Sequence, residues 1–414
     1  MQPISQELQD LIDRQTVVAS RHFDFNSEDK SEEVLDFGAI TRQADAITSG
    51  NIALTLVNSN GQWNILLENK NNWLLKEGVI KLDFLVGDPP LEESLTFFKG
   101  KLEDVRFAGD TVSFSLRDKM AYLMERMVGS TEQPVDYYSG IYASGINPAD
   151  LFWDIVTNYG GLDGTLSSAN TDIDYDVWVK WKERMTSLNL KVQAEFTGKT
   201  IREILELLAE LSNSTIYAEG DSRLVCRHWL EGLDLAGAQD YDENKIFSAP
   251  EVRFGTGDVL NKIIVYYGYQ PATDTWSGSV MKEDATSEGL YGVREKNYED
   301  TSLWVYDSVS ADSFADKRLQ WCKEPKEIIS FRTGLMGFPQ QIGDGVRVEY
   351  PLLNIHFSAD KAYMIQKLDF DPSSGIVDIE AREVALKKWF KLDDVDSPGH
   401  EGRGYLDKDY NPLF

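Results

Sequence analysis

Residues 172–176 read Asp-Ile-Asp-Tyr-Asp, and Glu183 follows where a twelfth-position carboxylate would fall. Carboxylates at alternate positions, closed by a distal glutamate, are the donor set of a calcium-binding loop. That loop needs glycine at its sharp turn, and Val177 stands there instead. Ile173, Tyr175, Val177 and Val179 alternate as in a strand, which would put Asp172, Asp174 and Asp176 on a solvated face. The mismatch argues against a metal site.

Tryptophans and carboxylates suggest a second chemistry. Trp153, Trp178 and Trp181 could stack against a sugar, and acidic residues are plentiful enough to supply a hydrolytic pair. The favoured reading of the same indoles is core and interface packing. No Gly-x-Ser-x-Gly is present to build a nucleophile elbow, and no Walker-type glycine loop to cradle phosphate. Thr256-Gly257-Asp258 and Gly343-Asp344-Gly345 are flanked by strand patterns, not by a helix N-terminus. His22, His228, His356 and His400 are scattered, with no pair at ligand spacing. Cys226 and Cys322 lie far apart and read as buried free thiols. The expectation is no catalytic residue, no cofactor site and no metal site.

The charge balance narrows the partners. Lys plus Arg is 41 and Asp plus Glu is 69, so the net charge is 41 − 69 = −28. That excludes a protein built to grip a nucleic acid backbone, which needs basic patches. It suits a surface that DNA passes without sticking, and equally a charge that serves solubility. Hydrophobic residues at 42% fit a globular chain. No apolar run reaches the roughly 18 residues of a membrane helix. The first residues carry no basic flank and no apolar core, so no secretory signal is expected.

Any such residues must be positioned by elements, and at about 150 residues per domain a 414-residue chain suggests roughly three domains. Ser5 to Val17 has helical spacing at Leu8, Leu11 and Ile12. Strand patterns follow at 51–58, 78–87, 95–105 and 111–116, with turns at Asn58–Gly61 and Ala108–Asp110. A helix from Lys119 to Met127 would bury Met120, Leu123, Met124 and Met127. Asn147-Pro148 opens another helix that Gly160-Gly161 ends. Thr200-x-x-Glu203 is a capping box before Ile201, Ile204, Leu205, Leu208 and Leu211. A hairpin turns at Glu219-Gly220-Asp221. Beyond it come strand patterns at 260–268, 327–333, 345–350, 362–370 and 375–383, and a helix from Ala311 to Cys322. The last stretch, Asp393 to Phe414, reads as an extended tail that docks through Tyr405, Tyr410 and Phe414.

Several of these segments carry a resemblance. Ser287-Glu-Gly-Leu-Tyr-Gly-Val-Arg-Glu295 looks like the "S-x-x-x-Y-G-x-R-E" strand of gp27-like phage tail-tip hub proteins. Gly343-Asp-Gly-Val-Arg-Val348 resembles their "G-D-x-V-x-V" strand, Tyr363-Met-Ile-Gln-Lys-Leu368 their "Y-x-I-x-x-I", and Glu380-Ala-Arg-Glu383 their closing "L-x-x-R-E". Ala53-Leu-Thr-Leu-Val-Asn58, Phe97-Phe-Lys-Gly-Lys-Leu102 and Val112-x-Phe-x-Leu-x-Asp118 resemble the first barrel of the same proteins. The order and spacing over residues 20–390 carry the likeness, since each motif alone recurs by chance.

The resemblance implies a β-rich α+β chain: two tail-tube-like antiparallel β-barrels with an inserted small α+β module. Its domains would be residues 1–128 (first barrel with N-terminal helix), 129–240 (module), 241–392 (second barrel) and 393–414 (tail). It implies a homotrimeric ring at a tail tip or baseplate, adapting a sixfold tube to a threefold spike or fibre and letting DNA pass. Implied partners are the tail tube or distal tail protein, the tape measure protein and a central spike or fibre. The implied location is the virion tail tip, assembled in the bacterial host cytoplasm. A carbohydrate-binding or carbohydrate-degrading tail-tip protein and a hexameric distal tail ring are the alternatives.

Overall fold

The computed structural model describes residue 8 and residues 19–43, 50–86, 91–137, 143–229, 238–353, 355, 357, 361–385, 390–391 and 405–406. Of the expected N-terminal helix only Leu8 is among them, helical and fully buried. Tyr410 and Phe414 lie outside the described residues. In the tail region, Phe390–Lys391 pairs antiparallel with Tyr405–Leu406.

The first sheet follows from alternation. Ile52, Leu54 and Leu56 face the core from β5 (Asn51–Val57), and Val112, Phe114 and Leu116 do so from β8 (Thr111–Asp118). Leu54 lies opposite Phe114 across the antiparallel pair. With β1 (Ala19–Phe25), β2 (Glu28–Asp29), β3 (Val34–Phe37), β6 (Glu77–Val86) and β7 (Leu91–Ala108), they make a seven-stranded sheet ordered β2-β1-β6-β7-β8-β5-β3. Only four residues, 30–33, join β2 at one edge to β3 at the other, so the sheet must curl. Phe25, Trp63 and Phe114 fill the curl with ring centroids 5.0 to 6.1 Å apart.

The chain then does something no strand pattern announced. β4 (Ile40–Gln43) leaves the first sheet and pairs antiparallel with Lys367–Phe370 of the second. That second sheet is also seven-stranded. It holds β11 (Gln239–Tyr241), β12 (Glu251–Arg253), β16 (Ile328–Thr333), β17 (Gly345–Val348), β18 (Lys361–Asp371) and β19 (Ile376–Ala385) in the order β11-β17-β18-β19-β16-β12. Both sheets bury one face in a single hydrophobic cluster that runs from Leu8 to Ala381. The chain is β-rich, with two curled half-barrel sheets and helices beside them.

The half-barrels repeat one topology. Four strands consecutive in sequence, β5 to β8, stand in the order β6-β7-β8-β5, and β16 to β19 stand as β17-β18-β19-β16. Both long hairpins carry a bulge at the same place. Glu103 is skipped between Leu102 and Asp104, five residues before Ala108, the last paired residue of β7. Gln366 is skipped between Ile365 and Lys367, five residues before Asp371, the last paired residue of β18.

The middle of the chain forms a second core. The helix α1 (Lys119–Met124) is shorter than its pattern: Met127 is exposed and belongs to a two-residue strand paired with Lys199–Thr200. α2 (Pro148–Asp154) continues as a π-helical turn to Tyr159. α3 spans Tyr175–Ser187, and α4 (Ile201–Leu211) has the capping box complete at Thr200 and Glu203. The hairpin is β9 (Ser214–Ala218) with β10 (Leu224–His228). Against this core pack α6 (Ser308–Cys322) and β13 (Lys262–Tyr267), which pairs with β14 (Gly278–Glu283) and β15 (Glu295–Asn297).

Two strand expectations are corrected. The segment from Ser287 is helical, α5 (Ala285–Tyr291), because the Asp284 carboxylate caps it on the Ser287 amide. Gly292 ends it at a φ of 74°, and only Glu295–Asn297 is strand. Residues 175–179 are also helical, because Asp174 caps α3 by accepting from the Val177 amide at 3.1 Å. Trp178, Trp181 and Met185 supply its buried stripe.

Candidate functional site

Of the motif residues, Trp178 and Glu183 line one open cavity along α3, beside Tyr175, Val179 and Lys182. Asp172 accepts from Lys119 Nζ and from the Asp163 amide at 2.8 Å, so an ammonium stands where a loop cation would. Asp174 is spent on its cap and sits 3.3 Å from Arg223, while Asp176 and Glu183 are exposed on α3. Trp178 and Trp181 are buried; their indole N–H groups donate to the Ala149 carbonyl at 3.0 Å and Ser214 Oγ at 2.8 Å. Trp153 is half-buried and packs on Trp178 at 4.6 Å. Of the three indoles, Trp178 lines the open cavity along α3, and all three are engaged in packing or hydrogen bonds. Cys226 and Cys322 are buried and free. The Thr256 carbonyl accepts from Arg294, which ties that loop to the end of α5. His356 and His400 lie outside the described residues.

One histidine cluster was invisible to spacing. On β1 and β2, His22, Asp24 and Asp29 stand close enough to share an ion. They come together only because the hairpin places Asp24 opposite Asp29. Lys81 Nζ already holds Asp24 at 2.9 Å, and Ser31 holds Asp29 through its amide at 2.9 Å and hydroxyl at 2.6 Å.

A dense polar arrangement lies where both half-barrels meet the hairpin. Arg42, carried into the second sheet by β4, is buried and donates to the Phe97 carbonyl of the first at 2.9 Å. Its guanidinium lies over the Phe370 ring at 5.1 Å. Phe338 bridges Phe97 and Phe370, with centroids 6.1 and 5.8 Å away. From the hairpin, Arg227 donates to Asp344 Oδ1 at 2.8 Å and Gln341 Oε1 at 2.6 Å. Tyr217 donates to the Ile342 carbonyl at 3.2 Å, and Ser222 donates to the Lys99 carbonyl. Gly343, at φ 84°, makes the turn that presents Asp344.

Two buried carboxyls close this junction. Asp118 accepts from the Gly50 and Ala121 amides and caps α1. Burial pushes it up to about 6, although those amides and Arg42 pull the other way. Burial also pushes Glu219 above the usual carboxylate range, opposed chiefly by Arg227. A small cavity beside them is lined by Ile40, Arg42, Lys99, Asp118 and Glu219. These groups are spent on one another and on backbone. The chemistry they perform is attachment, holding three parts of the chain in one arrangement.

With this geometry in hand, the chain can be compared with solved structures. The 43 kDa tail protein of prophage MuSo2 from Shewanella oneidensis matches with a TM-score of 0.51 at 15% identity, over 88% of this chain and 98% of that one. A tail protein from Neisseria meningitidis matches with a TM-score of 0.52 at 10% identity, over 88% and 96%. The fold is that of phage tail proteins. An E. coli type VI secretion component, itself described as structurally similar to T4 tail proteins gp27 and gp5, matches with a TM-score of only 0.41 at 10% identity, over 86% and 74%. No family model matches the sequence, and no curated protein does. Among the described residues no helix is long and apolar enough to cross a membrane.

Proposed function

We propose that this chain is a structural subunit of a phage tail tip or baseplate hub. Three copies would form a closed ring that adapts a sixfold tube to a threefold spike or fibre. The observation that carries this is the internal repeat: one chain holds two half-barrels with the same strand order and the same bulge. Three such chains present six similar units around a threefold axis. The tail-protein fold supports the same reading.

The proposed neighbours are the tail tube or distal tail protein on the sixfold side, the tape measure protein, and a spike or fibre on the threefold side. The proposed location is the virion tail tip, after assembly in the host cytoplasm. The net charge of −28 would let DNA pass through the ring by repulsion. No catalytic role is assigned. The domain division at 128, 240 and 392 belongs to this proposal, with 262–322 packed on the middle module.

The mass of the purified assembly in solution tests it. Three chains per particle is the expected result. Six would instead make this a distal tail ring, and a monomer at assembly concentrations would end the ring reading.

A further inference from the structure

Within the chain, one turn of the second half-barrel also rests on the edge of the first. Ser373, between β18 and β19, lies 2.9 Å from both Asp36 Oδ1 and the Phe37 carbonyl, and accepts from the Phe37 amide at 3.0 Å. Arg21 of β1 donates to the Ser373 carbonyl at 2.7 Å. A turn of one repeat thus rests on the edge strand β3 of the other.

The repeat lets this contact be transposed. The last pair of the first hairpin is Ala108–Thr111, and that of the second is Asp371–Ile376. Gly109 and Asp110 are therefore the counterparts of the turn that holds Ser373. Counting from those turns, the pair Leu54–Phe114 matches Phe331–Ile379. Phe37 lies opposite Leu54, and Glu251 lies opposite Ser330, one residue from Phe331. The counterpart of Phe37 is then Pro250, and that of Asp36 is Ala249. Pro250 is buried and has no amide hydrogen, so what transposes is the position of the turn and not its hydrogen bonds; the residues around it are exposed within the chain. Ala108, Gly109 and Asp110 stand in solvent, and a Cβ added to Gly109 would meet nothing within 4 Å. On the other side Phe247 is 55% exposed, and Ser248 and Ala249 are exposed too. An open groove there is lined by Ser248, Ala249, Glu251 and Arg332, whose guanidinium is held by both Asp378 oxygens, at 2.8 and 3.2 Å.

We propose that the β7–β8 turn of one copy seats on the Phe247–Glu251 stretch of the next copy, repeating between chains the position that the Ser373 turn takes within one. This rests on the trimeric reading, because a closed ring makes every first half-barrel meet its neighbour's second. The seat sets the Gly109 turn over Ala249 and covers Phe247.

Cysteine cross-linking of the full chain tests it. Asp110→Cys with Ala249→Cys, oxidised, should link chains into species of up to three, at least tenfold above either single variant. The native thiols, both buried, give a low background. A trimer by mass with no link above the single variants overturns the seat and leaves the hub reading standing. A monomer or hexamer by mass overturns both. If the cysteine pair fails to assemble, Ala249→Trp decides: a bulky ring on the seat requires about tenfold weaker trimer association, and unchanged association overturns it.

Discussion

Arg227 of the hairpin and Asp344 of the second half-barrel meet with Nη1 at 2.8 Å from Oδ1, and their side chains are only 22% and 14% exposed. Asp344 Oδ2 also accepts from the Gln341 amide at 2.8 Å, so the ion pair orders the turn as well as bridging the parts. Arg227→Met leaves a largely buried carboxylate without its cation. The expected loss is about 3 kcal/mol of unfolding free energy. The double variant with Asp344→Leu removes the orphaned charge and should recover part of it. Denaturant midpoints at constant slope measure both; a double variant no better than the single one would mean that the charge was never the issue.

Gly100 explains why a glycine stands in the Phe98-x-Gly-x-Leu102 segment of β7. A Cβ at Gly100 would come within 2.5 Å of the Arg117 carbonyl and 2.7 Å of the Phe98 ring. Backbone cannot yield as a flexible side chain can. Gly100→Ala should cost about 1–3 kcal/mol by overpacking. Gly109→Ala, with open space but a φ of 62°, should cost about 1 kcal/mol. Thermal unfolding of the two variants ranks them, and the reverse order contradicts this account.

The sequence showed most of the regular elements because their signals are local. Alternation placed β5, β8, β18 and β19, and Thr200 with Glu203 placed the start of α4. Where two local signals compete, alternation misled. Ile173 to Val179 alternates, yet Asp174 caps a helix whose Trp178, Trp181 and Met185 need the core. The long-range features left no trace in spacing. Nothing near Arg42 says that β4 crosses to a sheet whose pairing residues lie more than 300 positions on. The junction is a product of topology, so its charges could be read only as scattered ones.

Asp118 sets one pH dependence. Its folded value, about 6, is above the ordinary carboxylate value of 3.8, so the folded state holds that proton more tightly than the unfolded state does. The stability it contributes is present in acid and is lost as pH rises through roughly 4 to 6. The full swing is of the order of 3 kcal/mol. Asp118→Asn cannot ionise, and its stability should be flatter over that window, measured as unfolding free energy at pH 4, 5, 6 and 7. An equally steep fall in the variant assigns the slope to another group.

Asp172, which Lys119 holds, should titrate in the opposite sense. Burial raises it, but Lys119 and the Asp163 amide outweigh burial and hold it below the usual carboxylate range. Its contribution is therefore present above the unfolded value and lost as pH falls below about 4. Lys119→Met removes the cation and should cost about 1 kcal/mol at pH 7, a figure reduced because the Lys119 side chain is 32% exposed. The same variant decides the fate of the calcium-like motif. In the wild type, millimolar calcium should leave the melting temperature unchanged, since the ammonium stands beside Asp172 and Asp174 is committed to its cap. If calcium stabilises the wild type, or restores Lys119→Met fully, Asp172 has further oxygen donors beside it and the motif is a site after all.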